Sequence, residues 1–297
     1  MENTCTRYVG MVCLCLGLMA ATQPASAQRL KGFDVSQFQG NINWATAYNQ
    51  GVRFAYIRSC RGGPMGLQTI DSQFLANMAA SSNVMVEGQP VTIYTGNYHA
   101  GRPDTFVLPA GTTTLEQFTA ALKVHAQSEA DFFYSNVKPY LTPGHLRPVV
   151  DLETGGSTFP AGKFGYSIWA NIFLDRFEAL SGIEPLIYTN TNYATNYMDS
   201  TLSGRDLWIA NWSQPANSQT WSPPTGAFPA WTFWQYDSPN GLGASYGTQS
   251  TDIDLDVVNG DLTTLQSMFI AVPEPMSPVP LLLLAAGVFL RRYTCAR

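Results

Sequence analysis

The 297-residue chain predicts an α/β fold, a TIM-like barrel of parallel strands whose second half has lost its helices. Three observations point there. Short β-branched runs alternate with helix-length amphipathic segments through the first two thirds of the sequence, and the last third carries strands joined by loops alone. Acids at Asp34, Asp151, Glu153 and Asp254 fall at strand ends, where barrels of this kind carry their sites. A hydrophobic content of 45%, with 12% aromatic residues, is enough for one large core or two small ones, and one domain is expected because no repeat, low-complexity tract or linker interrupts the chain before Ala271.

The segment Gly32-Phe33-Asp34-Val35 is a first short strand that delivers Asp34 to its end, and a glycine-rich turn at Gly40 leads away. After a helix-length segment, Val52 to Arg58 is the second strand, and Asp71 to Ala80 reads as a helix. Val91 to Tyr94 is either the end of that crossover or the start of a third strand near Asn97-Tyr98-His99. Leu115, Phe118, Leu122 and Ala126 make the face of a helix over 115–133; Trp169, Ile172, Phe173, Phe177 and Leu180 make another over 164–180, stopped at Ser181-Gly182. Between these helices, Pro148 suits the first residue of a strand and Val149-Val150 favour extended backbone, so 148–153 is a buried strand. Leu186 to Thr189, Leu207 to Trp212, Thr232 to Tyr236 and Ile253 to Val257 complete the set.

Residues two apart on a strand share a face, so Asp151 and Glu153 project together. Two carboxylates held a few ångströms apart resist double ionisation, and one of them keeps a proton it can donate. The bland alternative is that Glu153 caps the next loop and faces water. His99 reads as a hydrogen-bonded core residue and Cys60 as a small buried one. No metal site or cofactor is expected. The three histidines are scattered, and the calcium-loop imitation at Asp252, Asp254 and Asp256 has Val257 where its glycine belongs and Thr263 where its glutamate belongs. A formal charge of -5 and a pI near 5.1 argue against a nucleic-acid groove or a polybasic membrane patch.

Both ends carry address-like segments. Residues 1–27 have a signal-peptide layout, with Arg7, an apolar run from Tyr8 to Ala21, and Ala25-Ser26-Ala27 as the cleavage site. Removing both ends leaves Cys60 as the only cysteine, so no internal disulfide is expected and an exported domain over 28–270 must be held by its core. In the tail over 271–297, Val272-Pro273-Glu274-Pro275 precedes a proline-broken spacer, an apolar run from Val279 to Leu290, and Arg291-Arg292. That run is short of the roughly 20 residues a membrane helix needs. The tail resembles the PEP-CTERM sorting signal, which implies an exosortase-type processing enzyme as a partner and transient membrane association. A plain C-terminal anchor is the alternative, and both readings put the domain outside the cytoplasm.

Taken in register, Gly32-Phe33-Asp34-Val35-Ser36 with Trp44, Phe54-Ala55-Tyr56-Ile57, Tyr98-His99, Val150-Asp151-Leu152-Glu153, Ile187-Tyr188-Thr189, Leu207-Trp208-Ile209-Ala210, Phe233-Trp234-Gln235-Tyr236 and Ile253-Asp254-Leu255 resemble glycoside hydrolase family 25, the Chalaropsis-type lysozymes. The resemblance covers Lys31 to Leu265. It implies an irregular β/α barrel of five βα units followed by β-only strands, acting as a monomer on peptidoglycan glycan strands. The implied activity is cleavage of the β-1,4 bond between N-acetylmuramic acid and N-acetylglucosamine. By position, Glu153 matches the general acid; Asp151 matches the neighbour that acts as nucleophile or steadies the substrate's N-acetyl group; Asp34 and Asp254 match two further carboxylates of the cleft. Aromatic side chains around such a cleft stack on sugars, and Tyr98, Tyr188, Trp212, Trp234 and Tyr236 are the candidates.

The chain also departs from the family. Ser59-Cys60-Arg61-Gly62-Gly63 stands where many relatives carry Ala-Thr-Glu-Gly, Ala100 replaces a usual Phe, and the loop from Arg102 to Thr114 is longer. These differences bear on substrate subsites. Against the enzyme stands a non-catalytic wall- or matrix-binding barrel displayed by the tail, but a binder gains nothing from crowding four carboxylates. A chitinase-type hydrolase also ends a strand in Asp-x-Glu; the acidic series expected before that pair is replaced here by Arg147-Pro148-Val149-Val150.

Overall fold

The computed structural model describes residues 28–271, so the signal-peptide and sorting-tail expectations lie outside the described residues. The chain begins with β1 (Lys31–Val35), α1 (Trp44–Asn49), β2 (Val52–Arg61), the two-residue β3 (Thr69–Ile70) and α2 (Phe74–Ser81). A hairpin of β4 (Val84–Val86) and β5 (Gln89–Val91) precedes β6 (Tyr94–Ala100), α3 (Leu115–Val137), β7 (Val149–Asp151) and α4 (Gly162–Ser181). Then come β8 (Leu186–Asn190), α5 (Thr191–Asn196), β9 (Leu207–Ala210), β10 (Phe233–Asp237), β11 (Asp254–Val258) and α6 (Leu262–Ser267).

Strands β1, β2, β6, β7, β8, β9 and β10 pair in parallel in that order, and β11 runs antiparallel between β10 and β1, closing an eight-strand barrel. An α-helix follows each of β1, β2, β6, β7 and β8 before the next barrel strand, whereas β9, β10 and β11 are joined by loops and single 3-10 turns. The expected loss of helices in the second half is therefore observed.

Strand alternation divides the packing into two cores. Phe54, Tyr56, Val149, Leu186, Trp208 and Phe233 point inward and fill the barrel, and Leu265 of α6 closes its lower end. Ala55, Ile57, Val150, Ile187, Ile209 and Val257 point outward into a second core that also contains Phe133, Trp169, Phe173 and Phe177 of α3 and α4. Each large side chain fully withdrawn from water contributes about 1.5–3 kcal/mol, so both cores matter to stability. The interior aromatics need room: a Cβ on Gly32 would overlap the Phe54 ring, and one on Gly96 would overlap Tyr56. Helix α3 starts with a reciprocal capping box between Thr114 and Gln117, and α4 stops at left-handed Gly182, as expected.

Several boundaries differ from the sequence reading. Helix α2 starts at Phe74 because Asp71 is tied elsewhere, accepting from Arg58 and capping the backbone of Gln73. Val91 belongs to the β4–β5 hairpin, and the third long strand begins at Tyr94. Asp254 begins its strand instead of ending it; it still reaches the C-terminal mouth of the barrel because β11 runs the opposite way, pairing Asp254 with Asp34.

Candidate active site

At that mouth the four acids converge. Phe33 and Val35 pack outward, which turns Asp34 inward, and its Cα partner across the β1–β11 seam is Asp254. Strand β7 delivers Asp151 at its last residue; Leu152 is buried in the outer core, and Glu153 emerges at the rim. All four carboxylates line one cavity of about 180 Å³. A second cavity of about 530 Å³ opens beside it, lined by Glu153, Tyr188, Asn190, Asn192, Asn211 and Trp212. Glu153, with Tyr188, is thus common to a narrow acidic hollow and a wider amide-rich groove. It is also the most solvent-accessible of the four acids, so it can exchange protons with water.

Crowding and burial act in the same direction on these groups. Asp34 is held well above the usual carboxylate range by burial and then by Asp254, against the bond it accepts from Gln235. Burial, Glu153 and Asp34 push Asp151 well up, opposed by His99 and Arg58. Glu153 is raised by burial and by Asp254, with a weak opposing contact from the Asn190 amide at 3.5 Å. Burial raises Asp254 as well, and Asp252 adds to it. Desolvation and mutual repulsion disfavour full ionisation, so the cluster holds protons to higher pH than separate, solvated carboxylates would. One oxygen of Asp151, Oδ1, is buried without a hydrogen-bond partner.

Gln235, which the sequence reading passed over, organises this cluster. Its Nε2 donates to Asp34 Oδ2 at 2.7 Å, while its Oε1 accepts from the Tyr188 hydroxyl at 3.0 Å and the Trp212 indole at 3.1 Å. The buried acid is thereby connected to an indole that is 54% exposed in the wider groove. Of the aromatic candidates, Tyr98 and Tyr188 line the acid cavity and Trp212 lines the groove. Trp234 and Tyr236 do not. They flank Gln235 on β10 and so face outward, into the outer core, where Trp234 packs on Trp221 and Trp231 and donates to the Asn211 carbonyl. The reason is strand alternation: the polar residue between two large aromatics marks the inward face.

Three more residues at the site went unread. Phe38 is 68% exposed at the cavity wall, Arg58 is drawn to the same wall by Asp71, and Asp256 lies fully buried below, accepting from the Trp208 indole. Phe38 carried no signal, since it belongs to a 3-10 turn between elements. Asp256 and Arg58 were legible as charges two positions from an inward residue on the same strand. His99, read as a core residue, is fully buried on the outward face of β6.

A family model described as Glycosyl hydrolases family 25 matches residues 117–243, a span that contains Asp151, Glu153 and Gln235. The chain is 28% identical over 256 residues to Lysozyme M1 of Streptomyces globisporus, covering 82% of this chain and 73% of that one. It is likewise 28% identical over 233 residues to the N,O-diacetylmuramidase of Chalaropsis sp, covering 76% of this chain and 96% of that one. Over the span of the family model the chain is similar to glycosyl hydrolase family 25, and its similarity to the lysozyme and the muramidase runs beyond that span. The bacterial lysozyme of Streptomyces coelicolor has the same fold, with a TM-score of 0.59 at 24% identity over 84% of this chain and 99% of that one. The family 25 match ends before β11; the sheet pairing is what brings Asp254 to the acids contributed by the matched segment.

Proposed function

We propose that the chain is a family 25 glycoside hydrolase and an exported peptidoglycan hydrolase, an N-acetylmuramidase that cleaves the β-1,4 bond between N-acetylmuramic acid and N-acetylglucosamine. What carries the reading is the meeting of four carboxylates from three separate stretches of chain around one cavity. Lysozyme and muramidase activity in the relatives supports the choice of substrate.

Glu153 serves as the general acid. Burial and Asp254 raise its pKa, the direction a general acid needs, and its place at the junction of hollow and groove brings its proton to the glycosidic oxygen of a glycan lying across both. As the bond from that oxygen to the anomeric carbon breaks, positive charge develops on the sugar ring, and Asp151 with Asp34 and Asp254 supply the negative field that stabilises it. Capture of the anomeric carbon, by the Asp151 carboxylate or by the substrate's own acetamido oxygen, and then attack by water deprotonated by Glu153 complete the hydrolysis. Gln235 holds Asp34 in orientation, and Tyr98, Tyr188 and Trp212 form the walls against which the sugars lie. Export by the segment over 1–27, and processing of the tail over 271–297 by an exosortase-type enzyme after a brief membrane association, would put the monomer where its substrate is.

The decisive experiment is clearing of a peptidoglycan suspension by the purified protein, with Glu153→Gln alongside. The wild type should release new muramic acid reducing ends, and the variant should lose more than about 10²-fold of that rate at an unchanged melting temperature. Equal rates would refute the assignment of the acid. Sedimentation with the wall but no new reducing ends from the wild type would mean a binding module, and glucosamine reducing ends would mean the other bond.

A further inference from the structure

Beside the acid cavity lies a second, oppositely charged hollow. We propose that it is a carboxylate-binding subsite anchored by Arg61, which receives an acidic group carried on the lactyl side of muramic acid; the inference rests on the muramidase reading above.

The hollow has a volume of about 340 Å³ and shares Phe38 and Arg58 with the acid cavity, so the two lie on either side of one wall. Phe38 stands up as the partition, with the Arg58 guanidinium 5.0 Å from its ring centre. The hollow's charged residues are Arg58, Arg61 and Asp71. Asp71 is fully engaged: Oδ2 accepts from Arg58 Nε at 2.7 Å and from the Gln37 backbone at 2.9 Å, and Oδ1 accepts from the Gln73 backbone at 2.9 Å. It offsets Arg58 and leaves Arg61 over. Among the described residues the Arg61 side chain makes no ion pair, although the neighbouring Arg102 pairs with Asp104. Burial and then the nearby Arg102 and Arg58 work against its charge, while Asp104 and Asp151 favour it from a distance without forming an ion pair with it, so three guanidinium groups lie close together and one of them has no direct partner among the described residues.

The backbone at Arg61 is paired on both sides. At the rim strand β2 runs past β1 but stays paired with β6 through Cys60–His99 and Arg61–Ala100, its other edge pairs Cys60 with Ile70 and Arg61 with Thr69 of β3, and the next residue, Gly62, donates to the Ala100 carbonyl at 2.8 Å. Strand pairing fixes where the exposed Arg61 side chain starts, and its planar guanidinium fork matches a carboxylate in two parallel hydrogen bonds. An anion is recruited here despite the acids next door because Arg58 and Phe38 stand between them. A group branching from a sugar seated in the acid cavity reaches Arg61 by crossing only that wall. On peptidoglycan such a carboxylate has two sources, the peptide stem or, where the stem has been removed, the free lactyl group itself.

The test uses three forms of one glycan: stems intact, stems removed by an amidase so that lactyl carboxylates are free, and stems intact with their carboxyl groups amidated. Arg61→Gln should raise KM about tenfold on one of the first two forms, and the penalty should shrink to less than threefold on the amidated form, a coupling between side chain and carboxylate of the kind a double-mutant cycle detects. Arg61→Glu should enlarge the gap. A penalty on the first form identifies the stem carboxylate, and a penalty on the second identifies the lactyl one. An equal penalty on all three forms, or none on any, overturns the subsite while leaving the muramidase reading intact. Absence of cleavage of every form by the wild type overturns both.

Discussion

Two clusters of ionisable groups lie on opposite faces of the same barrel wall, and they are built on opposite plans. On the outer face, His99 sits between the Cys60 sulfur at 3.2 Å and Glu129 at 3.0 Å, stacked between Phe133 and Phe173. Glu129 also accepts from the Arg102 backbone, and its carboxylate fills the space a side chain on Gly62 would need. On the inner face, Asp34, Asp151, Glu153 and Asp254 repel one another, with Arg58 already committed to Asp71. The outer cluster pairs a base with an acid, and the inner one leaves like charges uncompensated. A barrel can hold the second arrangement because the first, and the two hydrophobic cores around it, supply the stability the acids forfeit. Substitutions on the two faces should therefore change stability in opposite directions.

The largest effect is expected from Asp151→Asn. Hydrolysis should fall about 10³-fold, roughly 4 kcal/mol of transition-state stabilisation, while the melting temperature rises because one member of a crowded, buried set no longer ionises. Reducing-end release and thermal unfolding of the same preparation check both halves. A variant that is less stable than wild type would show that the acids are compensated after all.

The outer cluster should answer with the opposite sign. Glu129→Ala removes the partner of a buried imidazolium and orphans the Arg102 backbone donor, a loss of about 3–5 kcal/mol by denaturant unfolding. Activity per folded molecule should stay within tenfold of wild type. A stability change under 1 kcal/mol, on the order of a surface pair, would mean that His99 is neutral in the fold.

How much of this was legible in the sequence depends on which face a residue occupies. The barrel, its lost helices and the acids at Asp34, Asp151 and Glu153 could be read because strand periodicity and charge at strand ends are local signals. Gln235 and Asp256 needed the face of each strand, and an inward polar residue between Trp234 and Tyr236 was obscured by the two aromatics that outwardly looked more functional. The antiparallel course of β11 is a property of closure and has no local signature. Glu129 is one acid on a long helix, and only the packing of α3 on β6 shows that it faces His99.

A pH series separates the two faces. The four carboxylates have folded pKa values raised above an unfolded value of about 4, so the native state binds the extra protons. Their contribution is present at low pH and is lost as pH rises through the raised values. For His99, burial opposes the charge, but Cys60 and Glu129 outweigh it and lift the pKa from 6.5 to about 10. That contribution is present below 6.5 and is lost on the way to about 10. Asp151→Asn should flatten the decline that begins near pH 4, and Glu129→Ala should flatten the alkaline one. If either variant flattened the other's limb, the two clusters would titrate as one.

The smallest effect belongs to Trp212, where inner cluster and groove are joined through Gln235. With the indole 54% exposed, Trp212→Ala should cost little stability, and KM should rise about fivefold, roughly 1 kcal/mol of lost binding. Gln235 would keep its bonds to Asp34 and to Tyr188, so kcat should fall less than KM rises. Trp212→Phe then distinguishes the two things the indole offers. A ring restores the stacking surface but cannot donate to Gln235, so recovery of KM in the Phe variant assigns the effect to the sugar face. A deficit in kcat that Phe leaves uncorrected assigns it to the indole N–H, and through Gln235 to the orientation of Asp34.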